Sequence, residues 1–287
     1  MNPALWGSLC AVNLGFADFM ARFSSRAIGP ASALFGMLAT GAVVLSVYVY
    51  VFQPLLVWTW SGMGFVALNG IATTLMTLLL YLGLARGPVS IVAPIVASHP
   101  ALVVLLAVVL GARPTTLQWI AMAGTLAGAL IIAACANNFE ESGKYERRHL
   151  RATVLIACAS AISYALLIVA AQAAVPIYGE LQTLWLGRLF SLAALGLFFL
   201  VRGQGPQMTL RWAPFVAAQG LLDAGGYLFL FAGSTGPGAE IAAVTASTFG
   251  AITTLLAWAV LRERISLVQW SGITLVFTCI ALLSAYS

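Results

Sequence analysis

Gln219, Asp223 and Tyr227 follow one another at intervals of four residues, and Asp223 is the one charged residue between Trp212 and Ala232. On a helix this spacing puts the three side chains on one face, so an amide, a carboxylate and a phenol would share one lining. An amide both donates and accepts, a carboxylate accepts and carries charge, and a tyrosine ring offers an apolar body with a polar tip. Such a face suits recognition of a small amphipathic molecule. Asn69, in another apolar stretch, is a second amide of this kind, and it would either bind a polar solute or tie helices together. His99 stands in Ala97-Ser98-His99-Pro100 with Pro94 nearby, where the prolines free backbone carbonyls. Its ring would contact a ligand, relay protons near physiological pH, or rest neutral on a neighbouring backbone group. Arg188, the basic residue deepest inside an apolar run, would pair with Asp223 or Glu180 or grip a carboxylate, pairing being the simpler role. Tyr81, Tyr164, Trp185 and Trp258 are further aromatic side chains within such runs, as pocket walls or as packing.

Bond-making chemistry finds no support. The chain has no HExxH, no GxSxG and no glycine-rich phosphate loop. Cys10, Cys135, Cys158 and Cys279 all fall in apolar runs, so they read as small core residues rather than disulfides or metal ligands. No enzyme activity, cofactor, metal or nucleic-acid partner is expected.

The elements that position these residues follow from composition. The 287 residues are 62% hydrophobic and 7% charged, with a mean hydropathy of +1.01. A soluble domain of this size could not bury so much apolar surface, so the chain belongs in a lipid bilayer. Glycines, prolines and charges divide it into ten apolar segments, near Pro3–Ala21, Ala31–Phe52, Gly62–Leu84, Val89–Leu110, Leu117–Ala136, Ala152–Ala173, Leu181–Val201, Trp212–Ala232, Ala239–Leu261 and Leu267–Ala285. Each is close to the roughly 20 residues a helix needs to cross ~30 Å of hydrocarbon. Met1–Leu9 carries no basic stretch typical of a cleaved leader, so the first segment is expected to remain as a helix. Trp58, Trp60, Trp119, Trp212 and Trp270 cluster at segment ends, as interfacial residues do. Asp18 lies four residues before Arg22 and is expected to pair with it near a membrane face, and Glu240 is expected to cap the ninth segment.

The segments form two copies of one unit. FVALNG at Phe65–Gly70 recurs as FVAAQG at Phe215–Gly220, 150 positions on. Gly87-Pro88 recurs as Gly236-Pro237, and Leu117-Gln118-Trp119 as Val268-Gln269-Trp270, with nearly the same offset. Asn69 and Gln219 are thereby equivalent. The expected organisation is a first five-helix repeat over residues 1–136, a charged linker over 137–151 reading NNFEESGKYERRHLR, and a second five-helix repeat over 152–287. Five spans per copy turn the second upside down relative to the first, so the fold class is an all-α integral membrane protein of ten transmembrane helices in two inverted repeats. Odd-numbered connections hold Arg22, Arg26, Arg86, Lys144, Arg147, Arg148, Arg151, Arg202, Arg211, Arg262 and Arg264, whereas even ones hold Arg113. The positive-inside bias then puts the odd connections in the cytoplasm and both termini outside.

Near its end the chain reads Arg262-Glu263-Arg264, Ser266 and Gln269-Trp270-Ser271-Gly272, preceded by Gly236-Pro237-Gly238-Ala239 ahead of the ninth segment. This resembles the EamA branch of the drug/metabolite transporter superfamily, with its Gly-Glu-Arg, spacer, Gln-Trp-x-Gly signature. Arg262 stands at that signature's glycine, and the first copy has Ala112-Arg113 where Glu-Arg would be. The resemblance spans the whole chain. It implies a ten-helix secondary carrier of the plasma (inner) membrane, similar to exporters of amino acids, aromatic ones included. Asn69, His99, Gln219, Asp223, Tyr81, Tyr227, Tyr164 and Trp185 are the expected substrate-binding residues. The sparse charge argues against phosphorylated substrates, which need several Lys or Arg. A proton-coupled exporter of drugs or other small metabolites is the alternative, with Asp223 as its carboxylate, because a central acidic residue is not expected in the first segment. Monomer and homodimer are both open.

Overall fold

The computed structural model describes residues 3–52, 56–109, 111, 113–135, 146–234 and 239–285. Most of the charged linker, Ala112, residues 236–238 of the glycine-rich motif and the Glu240 side chain lie outside the described residues. Apolar sequence in lipid must satisfy its backbone groups internally, and the described residues are accordingly helical, with no strand among them. Twelve helices are described: α1 (Pro3–Ile28), α2 (Pro30–Phe52), α3 (Met63–Arg86), α4 (Val89–Ala97), α5 (His99–Val109), α6 (Thr116–Ala134), α7 (Arg147–Tyr178), α8 (Glu180–Arg202), α9 (Ala213–Ser234), α10 (Ala239–Ala246), α11 (Phe249–Leu261) and α12 (Leu267–Ala285). Eight helical stretches among them are long and apolar enough to span a membrane, Val89–Val109 counting as one, and α11 and α12 are shorter apolar helices.

Two expected segments are each interrupted, and at equivalent places. The fourth breaks at Ser98 into α4 and α5, the ninth at Ser247 and Thr248 into α10 and α11, and Ser98 and Thr248 are 150 positions apart. At both breaks a side-chain hydroxyl takes the carbonyl three residues earlier, Ser98 that of Ile95 and Thr248 that of Thr245, each at 2.7 Å. Such back-bonding competes with the helical ladder. Prolines add to the first break. Pro100 has no N–H for the Val96 carbonyl, and the His99 ring supplies the missing donor from Nδ1 at 3.2 Å.

The two halves of the chain interleave. α3 packs along α7 and α8, while α9 packs along α1 and α2, so each half lays its third long helix on the first two of the other. α4 packs on α11, and α6 on α12. The last contact depends on glycine: a Cβ on Gly128 would lie 2.8 Å from the Gly272 carbonyl oxygen. Three segment ends lie five or more residues from expectation, one on α1 and both on α7, which runs on to Tyr178 rather than Ala173. α1 runs on to Ile28, and α7 begins at Arg147, so the basic run Arg147–Arg151 is helical. Cys10, Cys135 and Cys279 are buried, but Cys158 is exposed on the outer face of α7, contrary to its reading as a core residue.

Candidate functional site

A cavity of about 40 Å³ lies between the halves, enclosed by residues from α1, α2, α3, α7, α8, α9 and α11. A buried water needs roughly 10–15 Å³ by this measure, so the space holds a few waters and no organic solute in this conformation. From α9 come Asp223 and Tyr227, on one helix face as their spacing predicts, and α3 supplies Thr73, Thr77 and Tyr81. Thr73 and Thr77 are the counterparts of Asp223 and Tyr227, 150 positions away in each case. Equivalent turns of α3 and α9 thus face the same space, and one copy carries charge and a ring where the other carries hydroxyls.

The polar centre is an ion pair. Arg188 Nη2 donates to Asp223 Oδ2 at 2.6 Å, with side chains 4% and 14% exposed. The guanidinium carbon sits 5.6 Å from the Tyr227 ring centre, and Nη1 points at the Met37 sulfur at 3.6 Å. Desolvated geometry of this kind holds both charges in place, and the ring face adds a cation–π contact. Of the expected partners of Arg188, Asp223 is the one in contact.

Asp18 requires a correction. Its expected partner Arg22 instead approaches Glu263 at 3.9 Å and donates to the Leu84 carbonyl at 3.2 Å. Asp18 lines the cavity beside Leu14 and Ala17, at i−4 and i−1 on α1. Because α1 continues to Ile28, Asp18 lies nearly three turns inside the helix rather than one turn from its end. The first long helix therefore does present an acidic residue to the centre.

The remaining expected residues fall in two groups. Tyr81 and Tyr164 line the cavity with Asp223 and Tyr227. His99 stacks on Tyr164 with ring centres 3.7 Å apart and planes within 7°, which places it behind the wall rather than in it. Gln219 is fully buried one turn below Asp223; its amide donates to the Tyr81 hydroxyl and accepts from Ser24 at 2.9 Å. Asn69 is buried and donates to the Leu167 carbonyl at 3.0 Å, joining α3 to α7. Trp185 Nε1 donates to Ser46 at 2.9 Å, and the ring meets Trp58 edge-on at 6.4 Å. Asn69, Gln219 and Trp185 thus have their polar atoms on protein partners, outside the cavity.

Both ends of the helix bundle are tied. At the arginine-rich end, Glu263 accepts the Val89 and Ser90 N–H groups at 3.0 and 2.9 Å, capping the otherwise unpaired start of α4. Pro94 leaves the Ser90 carbonyl without its helical donor, and Gln269 supplies one from Nε2 at 3.0 Å. Arg26 Nε adds a bond to the Ala85 carbonyl at 2.6 Å. The Glu263 and Gln269 signature thus fastens the loop after α11 and the start of α12 to the first turn of α4, a structural role that spacing alone does not reveal. At the other end, Gln182 bonds the Val57 N–H and carbonyl at 3.0 and 2.7 Å, and the Tyr178 hydroxyl donates to the Thr59 carbonyl. These contacts hold the connection between α2 and α3 against the α7–α8 corner. Among the described residues no cluster of metal-ligating side chains occurs.

The sequence model of the EamA-like transporter family matches the chain twice, over residues 1–134 and 151–285. The chain belongs to that family, within the drug/metabolite transporter superfamily, and is a multi-pass membrane transporter of small molecules. No curated protein matches it. Sixteen chains of solved structures do. One, described only as "Crystal structure of protein", shares 15% identity at a TM-score of 0.65, with 98% of this chain and 96% of that one covered. At that identity the likeness speaks for the fold.

Proposed function

We propose that the chain is a secondary carrier that exports small amphipathic metabolites, amino acids including aromatic ones foremost, by alternating access through the cavity between its halves. The observation that carries this reading is the Arg188–Asp223 pair set in a cavity walled by Tyr81, Tyr164 and Tyr227. Ionic donors and acceptors beside aromatic faces suit a zwitterion with an apolar side chain. Ten spans in two inverted five-helix repeats, residues 1–136 and 152–287 about a charged linker, account for the equivalent breaks at Ser98 and Thr248 and for the reciprocal packing of α3 and α9. In this reading the cavity is occluded between two closures. Release of the Glu263 ties opens it to the cytoplasm of a plasma-membrane protein, and release of the Gln182 ties opens it outside, the odd connections being cytoplasmic.

The alternative, a proton-coupled exporter of drugs or other small metabolites, gains from Asp18, since two carboxylates and one guanidinium line the cavity. Counterflow in proteoliposomes tests the carrier reading. Unlabelled phenylalanine trapped inside should accelerate uptake of labelled phenylalanine, whereas a channel shows no such exchange.

A further inference from the structure

Asp18 holds a different position from the other charges of the cavity. Arg188 and Asp223 neutralise one another, but the Asp18 carboxylate has no hydrogen-bond or ion-pair partner among the described residues. The lining therefore holds one carboxyl group without a counter-charge, and it is on α1. Ionising a carboxyl group at this depth without a partner is costly, and a cation that enters the cavity removes that cost. The surrounding wall favours the same sign. Tyr164, Tyr227 and Phe249 line the space with aromatic rings, a residue type that attracts ammonium groups, and Met37 adds a soft sulfur.

We infer that Asp18 binds the ammonium group of the transported molecule, so the site takes a protonated amine carried on an apolar or aromatic body. This rests on the carrier reading above and narrows its substrate class. An amino acid fits with its ammonium at Asp18 and its carboxylate toward Arg188, whose five N–H donors exceed what Asp223 and Met37 engage. A simple arylalkylamine fits as well, because it leaves the Arg188–Asp223 pair untouched. An aryl carboxylate without an amine is rejected, since it brings no cation to Asp18 and adds a second anion beside the Arg188–Asp223 pair.

The test is equilibrium binding by calorimetry to the full chain in nanodiscs, with 2-phenylethylamine, phenylalanine and 3-phenylpropionate as probes, alongside flux in proteoliposomes. Wild type is expected to bind the two amines and not 3-phenylpropionate. Asp18→Asn should weaken amine binding by about 10- to 100-fold, as loss of a charge-assisted contact does, and Asp18→Glu should recover most of it. Unchanged amine affinity in Asp18→Asn overturns the inference. So does wild-type binding of 3-phenylpropionate as tight as that of phenylalanine, or no amine binding at all. The wild-type comparison decides the matter even if Asp18→Asn fails to fold. Amine binding without flux would leave Asp18 in its role and defeat the carrier reading; flux indifferent to Asp18→Asn would do the reverse.

Discussion

Arg188 on α8 and Asp223 on α9 meet at 2.6 Å across the centre of the bundle, 35 residues apart in the chain and nearly closed off from solvent. The pair is at once a structural joint between two helices and the polar centre of the cavity. These roles separate experimentally. Asp223→Asn leaves a buried guanidinium uncompensated and should lower stability by about 3–5 kcal/mol. The double variant Arg188→Met, Asp223→Leu should regain much of that loss yet transport nothing. Thermal unfolding in detergent, read beside flux, checks both halves of this expectation; a transport-competent double variant would show that the pair is joint alone.

Glu263 makes a second, more local device. Its carboxylate caps Val89 and Ser90 and faces Arg22. Glu263→Ala should lower stability by about 0.5–2 kcal/mol, the usual range for a lost cap. It should also loosen the arginine-rich end. Ser90 is fully buried, so a Ser90→Cys thiol in a Cys158→Ser background should resist an impermeant thiol reagent and become labelled once Glu263→Ala is added. Equal labelling in both backgrounds would mean that Glu263 does not hold this end closed.

Gln219→Ala and His99→Ala are expected to lower flux without loss of folded protein. Gln219 steadies the Tyr81 hydroxyl and His99 backs the Tyr164 ring, so each change frees a cavity tyrosine to move. Initial rates against substrate concentration give the answer, and wild-type kinetics in both variants would show that neither residue steadies the cavity wall.

Where α6 crosses α12, Gly128→Ala would force a methyl group against the Gly272 backbone. Such overpacking costs typically 1–3 kcal/mol. The melting temperature should fall, while Gly196→Ala, mid-helix where a Cβ meets nothing within 4 Å, should hold or raise it.

The helices were legible in the sequence because lipid permits little else: long apolar runs must be helical, and the matched motifs already paired Asn69 with Gln219. The breaks were half legible. Pro94 and Pro100 mark the fourth segment, but nothing of that kind marks Ser247 and Thr248, where a hydroxyl back-bond and a tertiary fit act instead. The cavity was read in part. Spacing of four places Asp223 and Tyr227 together, whereas Asp18 reads as a partner of Arg22 when the first segment ends at Ala21, seven residues short of the observed Ile28. Thr73 and Thr77 carry no local signal, because mid-helix threonines ordinarily bond their own backbone, as Thr73 does to the Asn69 carbonyl at 2.8 Å. Their 150-residue relation to Asp223 and Tyr227 was the available signal. The role of Glu263 depends on a partner 174 residues away, which no local pattern reports.

Uptake into proteoliposomes tests directly whether the cavity carries amino acids. The panel is labelled tryptophan, phenylalanine, methionine, threonine, a sugar phosphate and a quaternary ammonium drug, each with and without a pH gradient. Saturable flux of the aromatic amino acids, with the sugar phosphate excluded, is the expected result. Drug flux that requires the gradient, with no amino-acid flux, would contradict it and establish a proton-coupled exporter instead.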